Sequence, residues 1–393
     1  MLTNDRLSEL SAVYRDGLLD SVIPFWLANA IDRECGGYLN CLDQDGTALS
    51  TDKPMWAHGR FIWMLSTLYS TVEERPEWLE AAEHGVRFLR EHAFDSDGRM
   101  FFSTTRDGKP LRKRRYIFTE TFGLVALAAY AHASGDPQAE EEARQLYELI
   151  IRHLAKPDLL EPKVYPETRQ MKGLAVPMIM TVSSQVLRDT VGHPLCDEWI
   201  DRSIDEIERD FLKPEFEAVL EAVGPRGEFL DTLEGRMICP GHSIEAAWFI
   251  LHEAKHRGGD PRLRDLGLRI LDWSWKKGWD PEYGGILYYR DARDLPCTEY
   301  WHDMKFWWPH NEAVIATLLA YQLTGDPRYG DWHTMVHDWT HERFPDSEHG
   351  EWFGYLHRDG RLSTRVKGNM WKGPFHVPRM QWYCWQLLEE MQR

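Results

Sequence analysis

Apolar residues recur every three to four positions over most of the chain, the periodicity of helices with one buried face. Nine such segments are well marked: 56–69, 78–89, 118–131, 139–154, 174–187, 244–254, 263–275, 313–323 and 382–391. Together with weaker segments they predict about twelve helices in roughly six helical hairpins. No linker rich in Gly, Ser or Pro interrupts the pattern, so we predict one domain over residues 1–393.

Three short turns between these segments share the pattern Gly-Asp-Pro. They occur at 135–137, 259–261 and 325–327. Gly is favoured in the left-handed conformation that ends a helix, Asp caps the start of the next helix, and Pro fits its first turn. Each turn therefore predicts a tight connection between two helices.

A second repeated pattern predicts longer loops that carry small β-hairpins. It occurs at 32–37, 280–285 and 346–351, where an Asp is followed four residues later by a Gly. A short alternating apolar stretch follows, such as 286–289 or 352–356, and alternation of this kind is typical of strands. Because six hairpins are too few to favour an open superhelix, we predict an all-α (α/α)6 barrel whose inner helices surround a cleft.

Three histidines recur at nearly the repeat length. His310 follows His242 by 68 residues and His376 follows His310 by 66, so all three lie near the starts of predicted inner helices. In a closed barrel equivalent helix starts face one axis, and imidazole suits proton transfer there because its pKa is close to neutral pH. Taken singly, each histidine is equally well interpreted as a helix cap or a surface residue.

Two glutamates accompany these histidines. Glu245 follows His242 by three residues, where its carboxylate would orient the ring or raise its basicity, and Glu312 follows His310 by two. Glu245 is alternatively an ordinary first-turn acid favoured by the helix dipole. The side chains have the ligand types of a zinc or iron site, but no compact HExxH-like spacing occurs. We therefore predict no metal.

Arg60 lies on an otherwise apolar helical stripe. Trp56, Arg60 and Trp63 share one face, so that rings flank the guanidinium. Arg is rarely buried without a partner, and a carbonyl or hydroxyl oxygen of a sugar would supply one. The alternative is a stacked structural arginine paired with a neighbouring glutamate. We predict that Arg60 binds substrate.

Composition and charge narrow the choice of partners. The net charge of −17 argues against nucleic acid, since the only basic run is the short segment 109–115. No apolar stretch approaches the roughly 20 residues that span a bilayer, and the N-terminus lacks an apolar signal region, so we predict a cytoplasmic protein without membrane contact. Six cysteines without metal-site spacing fit reduced thiols, and 49 aromatic residues (18 Trp, 15 Tyr, 16 Phe) include enough ring faces for a carbohydrate site.

Four long motifs are the most specific features of the sequence. They are EGR at 234–236 leading into PGHSIEA at 240–246, KFWWPH at 305–310, GEWFGY at 350–355 and WKGPFHVPR at 371–379. With these motifs the chain resembles the N-acylglucosamine 2-epimerase family, whose mammalian members are also called renin-binding proteins. The similarity covers nearly the whole length.

The resemblance implies an (α/α)6 barrel, a homodimer, no catalytic metal, and interconversion of N-acetylglucosamine with N-acetylmannosamine. It places the catalytic histidines at His242 and His376, the substrate-binding arginine at Arg60, and supporting acids at Glu245 and Glu312. The other predicted sugar contacts are Trp308, Trp371, Arg236 and His310. Family members are reported to need ATP or another nucleotide as an effector, and since no GxxxxGK[ST] motif occurs here, any nucleotide site would be unconventional.

Departures from the family leave the choice of sugar open. Related sugar isomerases and cellobiose 2-epimerases carry a further His in the segment matching 178–180, and its absence here favours the N-acylglucosamine branch. That branch usually has Glu-Trp where this chain has Trp-His at 301–302, and Gln or a similar residue where it has His58. The nearest alternative is an aldose–ketose isomerase or a 2-epimerase of mannose or glucose. Other classes are an α/α-barrel glycoside hydrolase using Glu245 and Glu312, or a non-catalytic binding protein.

Overall fold

The computed structural model describes residues 2–161, 164–165 and 167–393, and this part of the chain is mostly helical. Its α-helices are α1 (Asn4–Asp16), α2 (Ile23–Asn29), α3 (Met55–Thr71), α4 (Pro76–His92), α5 (Phe118–Ser134), α6 (Pro137–Ala155), α7 (Ala175–Asp189), α8 (Cys196–Glu206), α9 (Pro240–His256), α10 (Pro261–Gly278), α11 (Trp307–Thr324), α12 (Pro327–Arg343) and α13 (His376–Met391). A π-helical turn, Gly17–Val22, joins α1 and α2 into one rod. Each of the nine predicted segments corresponds to one of these helices.

The helices form two concentric rings. α3, α5, α7, α9, α11 and α13 contact one another in that order, and α13 returns to α3, so the inner ring is closed. The helices α4, α6, α8, α10 and α12 each pack outside the inner helix that precedes them, and α1 packs on α13. The predicted (α/α)6 barrel is thereby confirmed. Within the described ranges no helix combines the length and apolar character needed to cross a membrane.

The burial of each helix follows from its sequence. On inner helix α5 every residue of 119–131 is buried, because neighbouring helices contact it on several sides. Outer helix α6 buries a single stripe that includes Leu146 and Ile150 and leaves its charged residues outside. Close inner packing also requires a small residue: a Cβ at Gly59 of α3 would lie 2.3 Å from the carbonyl oxygen of Phe122 on α5.

Short strands lie in the loops before the inner helices. They are β1 (Cys41–Leu42), β2 (Ala48–Ser50), β3 (Lys53–Pro54), β4 (Ser103–Thr104), β5 (Pro110–Arg112), β6 (Lys172–Gly173), β7 (Leu212–Lys213), β8 (Ala218–Val219), β9 (Ala222–Val223), β10 (Met237–Ile238), β11 (Arg290–Asp291), β12 (Lys305–Phe306) and β13 (Tyr355–Leu356). The antiparallel pairings are β1–β2, β3–β4–β5, β6–β9, β7–β8, β10–β11 and β12–β13. Several link loops of neighbouring hairpins, as where Lys305 lies opposite Leu356. The predicted strand at 352–356 contains β13, whereas 286–289 forms only one bridge, at Ile286.

The Gly-Asp-Pro turns have the predicted geometry. Gly135 and Gly325 end their helices in the left-handed region, with φ of 72° and 66°. The side chains of Asp136, Asp260 and Asp326 each accept a hydrogen bond from a backbone N–H in the first turn of the next helix. The three tight connections predicted from the sequence are confirmed.

A buried lysine closes each of the longer Asp loops. In all three, the Nζ atom reaches back to the first Asp; the distances are 2.9 Å for Lys53–Asp32, 3.0 Å for Lys305–Asp280 and 2.8 Å for Lys367–Asp346. The other carboxylate oxygen accepts N–H bonds within the loop, as Asp280 does from Glu282 and Tyr283. Lys305 and Asp280 are both fully buried, so the ammonium depends on this carboxylate, which also accepts two hydrogen bonds from Arg358.

We expect the Lys305→Met variant to lose about 1–3 kcal/mol in free energy of unfolding, since the buried Asp280 carboxylate loses one charged hydrogen-bond donor and keeps Arg358. Lys276→Met, which removes an exposed partner of Glu217, is the matched control and should cost at most about 1 kcal/mol. Urea titration followed by tryptophan fluorescence measures both. Equal losses in the two variants would contradict a stabilising role for the loop pair.

Candidate active site

The inner ring encloses a cavity of about 970 Å³ among the loops and helices. This is near the upper limit of small-molecule sites, roughly 300–1,000 Å³. Six of the nine predicted site residues line it, and Glu312 does not: the six are His242, His376, Arg60, Glu245, Trp308 and Trp371. Aromatic side chains form much of the remaining wall, among them Trp56, Tyr288 and Trp301.

His376 is held by a carboxylate on the neighbouring helix α11. Its Nδ1 lies 2.7 Å from Oε1 of Glu312, and because a carboxylate only accepts, Nδ1 is the donor. This leaves Nε2 as the ring nitrogen available to a ligand. Glu312 is fully buried and its other oxygen accepts a 2.7 Å bond from Nε1 of Trp248. Glu312 therefore fixes the orientation of the His376 ring through its Nδ1.

Arg379 joins two acids beneath His376. Its Nη2 atom lies 2.6 Å from Oε1 of Glu245 and 2.7 Å from Oε1 of Glu312. Ligand atoms of Glu245, Glu312 and His376 all lie within 4.8 Å of one another, a spacing that would suit a metal ion. The guanidinium of Arg379 already supplies a positive charge between these carboxylates. The absence of a catalytic metal stays a prediction.

His242 is held by Glu221, a residue of the loop between β8 and β9. Its Nδ1 lies 2.9 Å from Oε2 of Glu221, which again leaves Nε2 for a ligand. The expectation that Glu245 would orient His242 is wrong, because the Glu245 carboxylate accepts from Arg379 instead. Glu221 and Cys239 also form a metal-like cluster with His242, but burial raises the pKa of the Cys239 thiol and so disfavours the thiolate that a metal needs.

The two histidines have opposite electrostatic surroundings. Burial opposes protonation of His242, but the Glu221 carboxylate and the Cys239 sulfur together outweigh burial and raise the pKa of His242 well above 6.5. Burial lowers the pKa of His376 well below 6.5, and the nearby cations Arg379 and Arg60 lower it further. At neutral pH His242 is therefore protonated and His376 neutral. Such a divided pair is suited to act as acid and base.

Trp308 lies beside both imidazoles. Its ring centroid is 4.9 Å from that of His242 and 5.9 Å from that of His376. Trp371 is half exposed at the cavity wall, and its ring packs edge-on against Trp56 at 5.5 Å. Both tryptophans thus lie where the sequence predicted, in contact with the space that a ligand would occupy.

Arg60 is stacked among rings in the cavity wall. Its Cζ lies 4.1 Å from the ring centre of Trp56, 4.2 Å from that of Phe122 and 4.6 Å from that of Phe375. Desolvation lowers the pKa of Arg60 to about 9, so it remains charged at neutral pH. Its Nε is buried and has no hydrogen-bond partner among the described residues. A ligand oxygen would satisfy this donor.

The sequence profile of the N-acylglucosamine 2-epimerase (GlcNAc 2-epimerase) family matches residues 37–376. This chain belongs to that family. The N-acylglucosamine 2-epimerase of Bos taurus is 37% identical over 95% of this chain and 90% of its own length. The Homo sapiens protein of the same name is 36% identical over 95% and 88%. Cellobiose 2-epimerase of Bacteroides fragilis is 25% identical over 95% and 97%.

Solved structures show the same barrel. Cellobiose 2-epimerase from Spirochaeta thermophila superposes with a TM-score of 0.85 at 22% identity, covering 99% of both chains. A D-mannose isomerase superposes with a TM-score of 0.82 at 20% identity, covering 98% of both. At these identities the likeness shows the fold alone, and the family membership rests on the sequence matches.

Two predicted sugar contacts of this family member do not line the cavity. His310 is fully buried behind it; its Nε2 accepts the N–H of Ile286 at 2.8 Å and its Nδ1 donates to the carbonyl of Phe306 at 2.6 Å. Burial lowers the pKa of His310 to about 3, so the ring is neutral. Arg236 is engaged by Asp291 at 2.9 Å, also outside the cavity. Both predictions are corrected: these side chains hold loops in place.

The repeat spacing wrongly predicted that His310 faces the cavity with His242 and His376, because the histidines occupy different positions on their helices. His310 is the fourth residue of α11, and His58 is the fourth of α3; each accepts an N–H from the preceding loop. His242 is instead the third residue of α9 and His376 the first of α13. Each residue turns a side chain by about 100° around the helix. His58, a departure from the family pattern, is therefore a loop anchor outside the cavity lining.

Sequence reasoning missed two residues of the site, Glu221 and Arg379. Glu221 is 21 residues before His242 in an irregular loop, where no periodicity relates the two. Arg379 ends the motif WKGPFHVPR and follows His376 by three residues, one helical turn away. That spacing was a usable signal for Arg379, whereas nothing in the sequence pointed to Glu221.

We expect Glu221→Gln to lower the pKa of His242 by about one to three pH units, because the variant removes the carboxylate that stabilises the imidazolium. We expect activity to depend on protonated His242, so the fall of kcat/KM at high pH should begin at lower pH in the variant. Histidine NMR titration and a pH–rate profile measure the two effects. Glu77→Gln on the exposed surface of α4 is the control. An unchanged alkaline limb would contradict the pairing.

Proposed function

We propose that the protein is a sugar 2-epimerase that interconverts N-acetylglucosamine and N-acetylmannosamine. Relatives named N-acylglucosamine 2-epimerase are 36–37% identical to it, against 25% for a cellobiose 2-epimerase, which supports an acylated substrate and the isomerase class. The observation that carries the chemistry is the pair His242 and His376, two imidazoles of opposite protonation state that line one cavity.

The first step removes the C2 proton from the open-chain sugar. Neutral His376 takes this proton on Nε2, and the C–H electron pair moves to form a C1–C2 double bond while the C1 carbonyl oxygen becomes negative. The guanidinium of Arg60, which has an unsatisfied buried donor, stabilises this enediolate-type oxyanion. Glu312 keeps the His376 ring oriented and accepts from its Nδ1 throughout.

The second step returns a proton to the opposite face of C2. Protonated His242 donates from Nε2, the C1 carbonyl re-forms, and the configuration at C2 is inverted. His376 then holds the proton that His242 has lost. The reverse reaction starts from this swapped state, so the two histidines exchange roles with direction, and proton exchange with water restores the resting state.

A glycoside hydrolase is disfavoured by the geometry of its candidate acids. Such enzymes need two carboxylates on either side of a glycosidic bond. Here one nitrogen of Arg379 binds an oxygen of both Glu245 and Glu312, so the two carboxylates face one cation. Glu312 is also fully buried. These acids therefore support a histidine and do not flank a substrate.

The nearest alternative is an isomerase or epimerase of unsubstituted sugars, which would use the same intermediate. Incubation in deuterated water with N-acetylmannosamine, mannose and glucose separately distinguishes them by product and label position. An epimerase places deuterium at C2 of an aldose, whereas an isomerase yields a ketose. Turnover of mannose or glucose without turnover of N-acetylmannosamine would refute the proposed substrate.

We expect His242→Asn and His376→Asn each to lower epimerisation by about 10²–10⁴-fold, the usual contribution of one acid–base group. Each variant retains one of the two histidines. That histidine should still exchange the C2 proton of a single epimer, the one whose C2 proton faces it. The two variants should therefore label opposite epimers in deuterated water, as proton NMR can measure.

His256→Asn, at the exposed end of the same helix as His242, is the control and should behave as wild type. Labelling of the same epimer by both site variants, or near-normal epimerisation by either, would contradict the two-base mechanism.

The family resemblance also supports a cytoplasmic homodimer with a nucleotide effector. Sedimentation should then give a particle of twice the 46.1 kDa chain mass. The cavity lining offers Arg60 and Arg379 as its cations, and both are engaged with rings or carboxylates. The proton transfers proposed above need no nucleotide.

A further inference from the structure

The cavity extends along nearly the full length of α3 and α7. On α3 its lining runs from Trp56 to Thr71, which corresponds to about 22 Å of helix rise. On α7 it runs from Ala175 to beyond the helix end. Val182 and Val186 of this inner helix are partly exposed because they face the hollow axis. This length is several times that needed to hold C1 and C2 of a sugar together with the groups that act on them.

Charge is distributed unevenly around this space. The ionisable groups that surround the reacting atoms come from α3, α9 and α13. The wall from α5 and α7 is mostly apolar between Phe122, which contacts Arg60, and the far end, where His132 and Asp189 line the cavity. We call its apolar part the acyl strip: Phe122, Val125, Ala129, Ile179, Val182 and Val186. Beside it, Ser183 is fully buried and its hydroxyl has no partner among the described residues. An amide group of a ligand would satisfy that hydroxyl.

The substituents of C2 determine which part of a substrate meets this wall. The C1 oxygen is bound on the Arg60 side, and the two faces of C2 meet His242 and His376. The hydroxyl-bearing carbons C3–C6 suit the polar loop end, where Asn369 and Tyr289 line the cavity. The remaining substituent, the acylated nitrogen, then points towards α5 and α7.

We propose that the acyl strip binds the N-acyl group and that the enzyme accepts N-acylglucosamines with acyl chains much longer than acetyl. This inference rests on the proposed epimerase function. It follows from the length and apolar character of the strip, because each methylene group that leaves water for such a surface favours binding. The chain would run down the barrel axis, away from the catalytic groups and towards the end where His132 and Asp189 line the cavity.

The test compares N-acetyl-, N-butanoyl- and N-hexanoylglucosamine as substrates. KM should fall with chain length, by up to about threefold per added methylene, while kcat stays within about tenfold, as the chemistry at C2 is the same. A KM that is unchanged or higher for the hexanoyl sugar, or loss of its turnover, would overturn the proposal. Failure to turn over the acetyl sugar as well would instead refute the underlying epimerase function.

Variants of the strip give a second readout. Val182→Thr keeps the shape but adds a hydroxyl, and Val186→Trp obstructs the lower part of the strip. Both should reduce the hexanoyl-to-acetyl ratio of kcat/KM, several-fold for Val182→Thr and more for Val186→Trp. Both kcat/KM values in the ratio are measured on the same preparation, so a loss of folded protein lowers both equally and leaves the ratio unchanged. Val13→Thr on outer helix α1 is the matched control. An unaltered ratio in both strip variants would also overturn the proposal.

Discussion

The contact of Arg379 with Glu245 and Glu312 is the interaction on which the site depends. These three charged side chains come from α13, α9 and α11, and all are buried. A buried charge without its partner is strongly destabilising, so the three helices are tied together at this level of the ring. Since Glu312 also accepts from His376, the contact that closes this part of the barrel also orients the proposed base.

The same contact explains why the two histidines differ. Each imidazole has a carboxylate on its Nδ1, yet the two carboxylates are not equivalent. Glu312 shares its charge with Arg379, and Arg60 adds a second cation close to His376, so protonation of that ring is disfavoured. No arginine among the described residues pairs with Glu221, and its charge stabilises the His242 imidazolium. His242 and His376 therefore differ in their preferred protonation state, although each is hydrogen-bonded to a carboxylate through Nδ1.

Rigid loops keep this arrangement in place. The cavity wall at the helix starts consists of irregular chain, which would move if its polar groups were not satisfied. Buried lysines such as Lys305 hold the Asp loops, and His58 and His310 each accept a backbone N–H from the loop before them. Electrostatic stabilisation of an oxyanion depends on such preorganisation, because fixed dipoles need no rearrangement during the reaction.

The helices, their tight turns and the barrel could be predicted from the sequence, because helical periodicity and the capping of Gly325 and Asp326 are local properties of the chain. His242 and His376 were found in the same way. That His310 supports a loop follows only from the packing of the folded chain, since a shift of one residue along a helix turns a side chain to another neighbour. The partner of His242 was likewise decided by packing: Glu221 reaches it from an irregular loop, and no sequence period records contacts that form only when the ring of helices closes.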